Sequence, residues 1–184
     1  MSVSFKQAVM LAIAVGLSAC GSPNQDPPLR INVSSTPAGA TCQATRDDQL
    51  IGRIAATPSW IRVTNAASTI VVSCEAPGHM TGRSLVVSYV DGSSVAPYLL
   101  VGGVVGLGVA LAVASASGTI FTYQSDVEVT LAPQVFTTAE ERDVFFDDLI
   151  ARIRQQAEGQ TSTALFDAEI TRLDGLRQAV GIAR

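Results

Sequence analysis

The sequence predicts an α+β protein. Its expected parts are a small antiparallel β sandwich, an apolar Gly-rich helical segment inserted into it, and a C-terminal helical hairpin. Three observations carry that expectation. Between residues 30 and 91, short apolar/polar alternations are punctuated by Pro and Gly turns, the pattern of half-buried strands in a compact β unit. Between Asp91 and Asp126 lie 34 consecutive uncharged residues, among them GGVVGLGVALAVASASG. Beyond residue 134, apolar residues recur at helical spacing.

The chain opens MSVSFKQAVMLAIAVGLSAC, with one cation, Lys6, before an apolar run that ends in small residues. That order is a secretory signal peptide, and the run is short for a transmembrane anchor. Leu17-Ser18-Ala19-Cys20 resembles the lipobox of bacterial envelope lipoproteins. The resemblance implies removal of residues 1–19 and acylation of Cys20, since a thiol is needed for the thioether to the lipid. Several acyl chains hold a protein stably at a bilayer, whereas one is marginal. Residues 20–29 then form a Pro-rich tether. Gly21, where an acidic residue would retain a lipoprotein at the inner membrane, points by the family's sorting habit to the periplasmic face of an outer membrane.

Cysteine usage agrees with export. With Cys20 assigned to lipid, Cys42 and Cys74 remain, and a disulfide is their expected state in an oxidising compartment. Neither a redox pair nor a metal site is supported, because no CxxC spacing is present.

Composition narrows the function classes. The mature chain of 165 residues holds eleven arginines, no lysine and sixteen carboxylate side chains, hence a net charge of −5. Schiff-base chemistry and a Walker lysine are unavailable. A single histidine, His79, precludes a multi-histidine metal centre, and an acidic chain without basic clusters is a poor nucleic-acid partner. Nor does its overall charge favour anionic lipid headgroups. His79 lies in Ala76-Pro77-Gly78-His79-Met80, which reads as a turn. Ser73, Ser84 and Asp91 are near it in sequence only, and a triad is recognised by geometry. Glu75 and Asp91 make no specific acid–base signal, and Trp60 reads as core or edge packing. No catalytic residue, cofactor or metal ligand is expected.

The strands follow in order: RINVSST, the turn TPAGAT, ATCQATR, QLIGRI with Gly52 as a bend, the turn ATPS, WIRVT, TIVVSCE, the turn APGHM, and RSLVVSYVD. INVSSTPAGATCQAT, ATPSWIRV and TIVVSCEAPGHM together resemble the PEGA domain. Pro37-Ala38-Gly39-Ala40 matches its first turn, Thr57-Pro58 its second and Pro77-Gly78 its third, with Ala56 in place of a glycine and His79 in place of a tyrosine. The resemblance covers residues 31 to about 90. It implies an extracytoplasmic, non-enzymatic module and transfers no site residue.

The Gly-rich stretch, taken as residues 97–117, lacks Gly-Lys-Ser/Thr, and Leu111 stands where a dinucleotide fingerprint after Gly106 and Gly108 needs its third glycine. No nucleotide is expected. Gly102, Gly106, Ala110 and Ala114 recur every four residues, giving a helix face on which another backbone packs closely. Three placements stay open: against the module, against a second copy, or inserted in the membrane, a re-entrant hairpin with both ends on one side included. A single span is opposed by the absence of flanking cations. DVEVTLAP, at 126–133, reads as the last strand of the same module, which therefore runs from 30 to 133.

In the tail, 134–184, Thr137 and Thr138 with Glu140 and Glu141 offer two overlapping capping boxes. Phe145, Leu149, Ile150 and Ile153 share one face, GQTST interrupts, and Phe166, Ile170, Leu173 and Val180 form a second stripe. A hairpin packed on itself or on the module and a docking surface for an envelope partner both fit that pattern. The expected whole is a lipid-anchored, non-enzymatic envelope protein with the membrane as its first partner.

Overall fold

The computed structural model describes residues 28–90, 115, 120–160 and 162–183. The expected signal peptide, Cys20 and most of the expected tether lie outside the described residues, as do Gly102, Gly106, Ala110 and Ala114. The described part is a mixed α+β protein with several sheets and two helices.

Seven strands come first: β1 (Leu29–Thr36), β2 (Thr41–Arg46), β3 (Gln49–Ile54), β4 (Ser59–Val63), β5 (Ile70–Glu75), β6 (Gly82–Val86) and β7 (Ser88–Val90). After residues 91–119 follow β8 (Phe121–Tyr123), β9 (Asp126–Thr130), β10 (Val135–Phe136), helix α1 (Ala139–Ala157), helix α2 (Ala164–Ala179) and β11 (Gly181–Ile182). One sheet has the order β4-β1-β9 and another β3-β2-β5-β6.

Alternation decides the faces. In β1, Ile31 and Val33 point inward while Arg30, Asn32 and Ser34 are exposed; in β9, Val127 and Val129 point inward between Asp126 and Glu128. Ile70, Val72, Cys42 and Cys74 do the same for the second sheet, and the buried faces of both sheets join one hydrophobic cluster. The expected disulfide is present: Cys42 and Cys74 stand directly opposite on β2 and β5 and are bonded.

The proline turns meet in space. Gly39 N donates to Thr57 O (2.9 Å), Thr57 N to Ala40 O (3.0 Å), and Ala40 N to the buried Thr57 hydroxyl (3.0 Å). Gly39 has φ +86°, a conformation glycine adopts without steric cost. Between β2 and β3, Asp47 and Asp48 both have positive φ, as a two-residue hairpin turn requires. The sheets close together at the margin where β6 meets β9. A Cβ on Gly82 would lie 2.7 Å from Thr130 O, so only glycine fits this approach.

Three elements differ from the sequence reading. RSLVVSYVD is not one strand, because pairing changes at Val87: β6 pairs with β5, and β7 pairs with β8. β9 joins β1 in parallel, not antiparallel, since the chain re-enters the sheet at the end where β1 starts. The short β10 and β11 pair in parallel, tying the chain's end to the start of the hairpin.

Candidate functional site at one pole of the β module

The registers give the module two distinct poles. Leu29 opposes Val63, and Asn32 opposes Asp126, so β1 starts where β4 ends and where β9 starts. β5 starts, and β2 and β6 end, at the same pole, because Ile70 opposes both Arg46 and Val86. The ribbon β7–β8 follows directly from β6 and leads into β9 there.

That ribbon governs the uncharged segment. Ser88, Tyr89 and Val90 oppose Tyr123, Thr122 and Phe121. The chain therefore leaves at Val90 and returns at Phe121 on facing positions of one ladder. Tyr89 and Val90 are 51% and 52% exposed at this exit. Ser88 Oγ donates to Ala67 O (2.5 Å) and Tyr123 Oη to Ser68 O (2.6 Å), fixing the ribbon to the loop between β4 and β5. Burial pushes the Tyr123 phenol above its ordinary pKa of 10.0, against the opposing pull of Arg46. The Arg46 guanidinium lies over the Tyr123 ring and donates to Thr64 O.

The same pole carries an aromatic–cationic cluster. On the outer face of the first sheet, Arg30 stands directly opposite Arg62 and Asn32 opposite Trp60. The Arg30 and Arg62 guanidinium carbons sit 4.6 and 5.2 Å from the centre of the Trp60 ring, which is 44% exposed. Of the two expected places for Trp60, core and edge, the structure shows the edge: it lies exposed on the sheet's edge strand with both guanidiniums over its ring. Like charges directly opposite oppose pairing, and stacking on an exposed indole returns only about 0.5–1 kcal/mol per cation.

The carboxylates on this face are held by neutral donors. Asp126 accepts from Asn32 Nδ2 (3.0 Å) and Ser125 Oγ (2.6 Å), and Glu128 from Thr36 Oγ1 (3.2 Å). The Ser125 hydroxyl, then the Asn32 amide, hold the Asp126 carboxyl below its ordinary range. Among the described residues, Arg30 and Arg62 have no carboxylate partner within salt-bridge distance.

The opposite pole is covered by the helices. Thr138 caps α1 by accepting from Glu141 N, and Glu141 reaches back to Thr137 N. Of the two capping boxes in the sequence, the structure uses the second threonine. Phe146, unmarked in the sequence reading, is the fully buried centre of a second core with Phe136, Ile150, Leu173 and Val180, while Phe145, Leu149 and Ile153 are half-buried. α2 grips the module through Arg172, which donates to Thr81 O (3.2 Å) and is paired with the buried Glu169. A small cleft of about 80 Å³ lies beside this grip, between β6, β9 and both helices. Its buried acid is already satisfied, so Glu169 and Arg172 serve as a strut.

His79 also lies at this pole, in its expected turn. Its Nδ1 is 3.0 Å from Pro77 O, and its backbone bridges to Pro133. Among the described residues no carboxylate or hydroxyl hydrogen-bonds its ring, and Ser73 and Ser84 project from β5 and β6 instead. Among the described residues no group of three His, Cys, Asp or Glu side chains could hold a metal ion, and no helix is long and apolar enough to cross a membrane. The chain matches no family model, no curated protein and no solved structure.

Proposed function

We propose that this chain is a non-enzymatic, lipid-anchored envelope protein whose β module is a PEGA-like sandwich with a structural or binding role. Acylated Cys20 would hold it at the periplasmic face of an outer membrane. One observation carries the reading: β1, the first strand after the tether, and both ends of the apolar segment meet at one pole, while the hairpin occupies the other. A surface protein with a membrane-facing side and an outward-facing side needs that polarity. The meeting of the Pro37–Ala40 and Thr57-Pro58 turns supports the PEGA likeness, since two of the three turns that carry it form one contact. Labelled palmitate is expected to enter the wild type and not Cys20→Ala; uptake by both sinks the anchor.

The β7–β8 ladder favours a second reading, in which the Gly-rich segment is the working part through membrane insertion or self-association. A 19-residue helix is about 28 Å long, and a single crossing would separate Val90 and Phe121, which are paired. Insertion in this reading is a re-entrant hairpin with both ends on one side. Leucines at Gly106 and Ala110 would then block close packing and change oligomer size or membrane retention. Unchanged behaviour dismisses the small-residue face.

A further inference from the structure

We propose that Arg30, Trp60 and Arg62 form a docking corner for the phosphate groups of an anionic bilayer surface. The inference rests on the lipid-anchor reading above and names what the module does once anchored.

The chemistry starts with two unspent cations. Arg30 and Arg62 face each other across β1 and β4, an arrangement that disfavours itself unless an anion completes it. Among the described residues no carboxylate reaches either guanidinium; those on the same sheet, Asp126 and Glu128, are oriented by Asn32, Ser125 and Thr36 instead. Guanidinium groups match phosphate oxygens with two parallel donors. An indole with an apolar body and a donor tip suits the headgroup layer, and Trp60 stands exposed with both cations over its ring.

Position selects the bilayer as the source of phosphate. Nine residues separate Cys20 from Arg30, so the tether extends at most about 35 Å. Attraction to an anionic surface acts within a Debye length of about 8–10 Å, which two arginines from solution reach weakly. A short tether raises the effective concentration enough for such a small patch to stay engaged. The acidic turn Asp47–Asp48 stands at the same pole on the second sheet. Repulsion there tilts the module onto its β4–β1 side, so one corner docks and the other stays wet.

Trp60 is the only tryptophan in the chain and reports directly. The palmitate-labelled protein is placed on vesicles of phosphatidylglycerol with phosphatidylcholine, or of phosphatidylcholine alone, each with a headgroup-spin-labelled lipid. Trp60 emission is expected to shift blue and be quenched on the anionic vesicles. Both effects should be lost in Arg30→Gln/Arg62→Gln and in about 0.5 M salt. Equal emission on both vesicle types, unmoved by the double substitution in a chain that melts normally, overturns the docking corner while leaving the anchor intact. A preparation without palmitate disproves the anchor; added to the same vesicles from solution at low salt and excess lipid, it still must show charge-dependent quenching. A Trp60 response to an anionic polysaccharide and none to lipid transfers the site to a glycan and overturns the lipid assignment.

Discussion

The two poles of the β module are held by different physics. At the hairpin pole, Phe136, Phe145 and Phe146 pack in tilted and edge-to-face pairs with ring centres 5.5–6.2 Å apart above a closed margin of β6 and β9. At the other pole the holding contacts are hydroxyl-to-carbonyl hydrogen bonds from Ser88 and Tyr123 and guanidiniums over rings. Aromatic burial stabilises a surface that stays shut. Exposed cations and single hydrogen bonds leave the other surface open to solvent. One module thus carries a sealed side and an available side.

That contrast is most easily broken at Phe146. Phe146→Ala removes the centre of the hairpin core and is expected to cost about 3–5 kcal/mol. Amide exchange should rise first in α1 and α2, with β1 and β2 still protected. Loss of protection in both at once would mean that the poles share one cooperative unit. In the sheet beneath the hairpin pole, where Cys74 opposes Gly82, Cys42→Ala/Cys74→Ala opens a loop with a sequence separation of 32, worth roughly 3–4 kcal/mol in the chain-entropy model. A lower denaturant midpoint for the module should follow, without a selective effect on the hairpin.

Tyr123→Phe gives the smallest effect and confines it to the available pole. Losing the bond to Ser68 O should cost about 1 kcal/mol at neutral pH. Because burial raises the phenol's folded pKa above 10.0, the folded state holds this proton more tightly than the unfolded chain. Its contribution is present below pH 10 and is lost as pH rises through the folded value. The wild type should therefore lose stability above pH 10 more steeply than Tyr123→Phe, as pH-dependent melting would show. Parallel alkaline limbs contradict the assignment.

Much of the module was legible because alternation and turn chemistry are local. Ile31, Val33, Val127 and Val129 announce their faces within a few residues, and TPAGAT and ATPS announce their turns. The disulfide followed from cysteine number and the expectation of export. Long-range pairing was not legible: nothing local tells β9 to join β1 in parallel, or β7 to leave β6 for β8 at Val87. The sequence does not single out Phe146 because Phe145 fits the same stripe, and both rings meet Phe136; only burial in the folded chain separates them. The docking corner was hidden for a similar reason. Arg30 and Arg62 are far apart in sequence, net charge argued against anionic surfaces, and only the β1–β4 register brings the two cations to one tryptophan.

The central claim is that the uncharged segment leaves and returns at one pole, on one side of any membrane. Single cysteines at Tyr89 and at Gln124, each with the Cys42–Cys74 bridge intact, can be probed in cells with a membrane-impermeant maleimide. A third, at the exposed Ala168 of α2, marks the hairpin pole. The account predicts that all three label from the same side. Labelling of positions 89 and 124 from opposite sides would contradict the β7–β8 ladder, and with it the two-pole organisation.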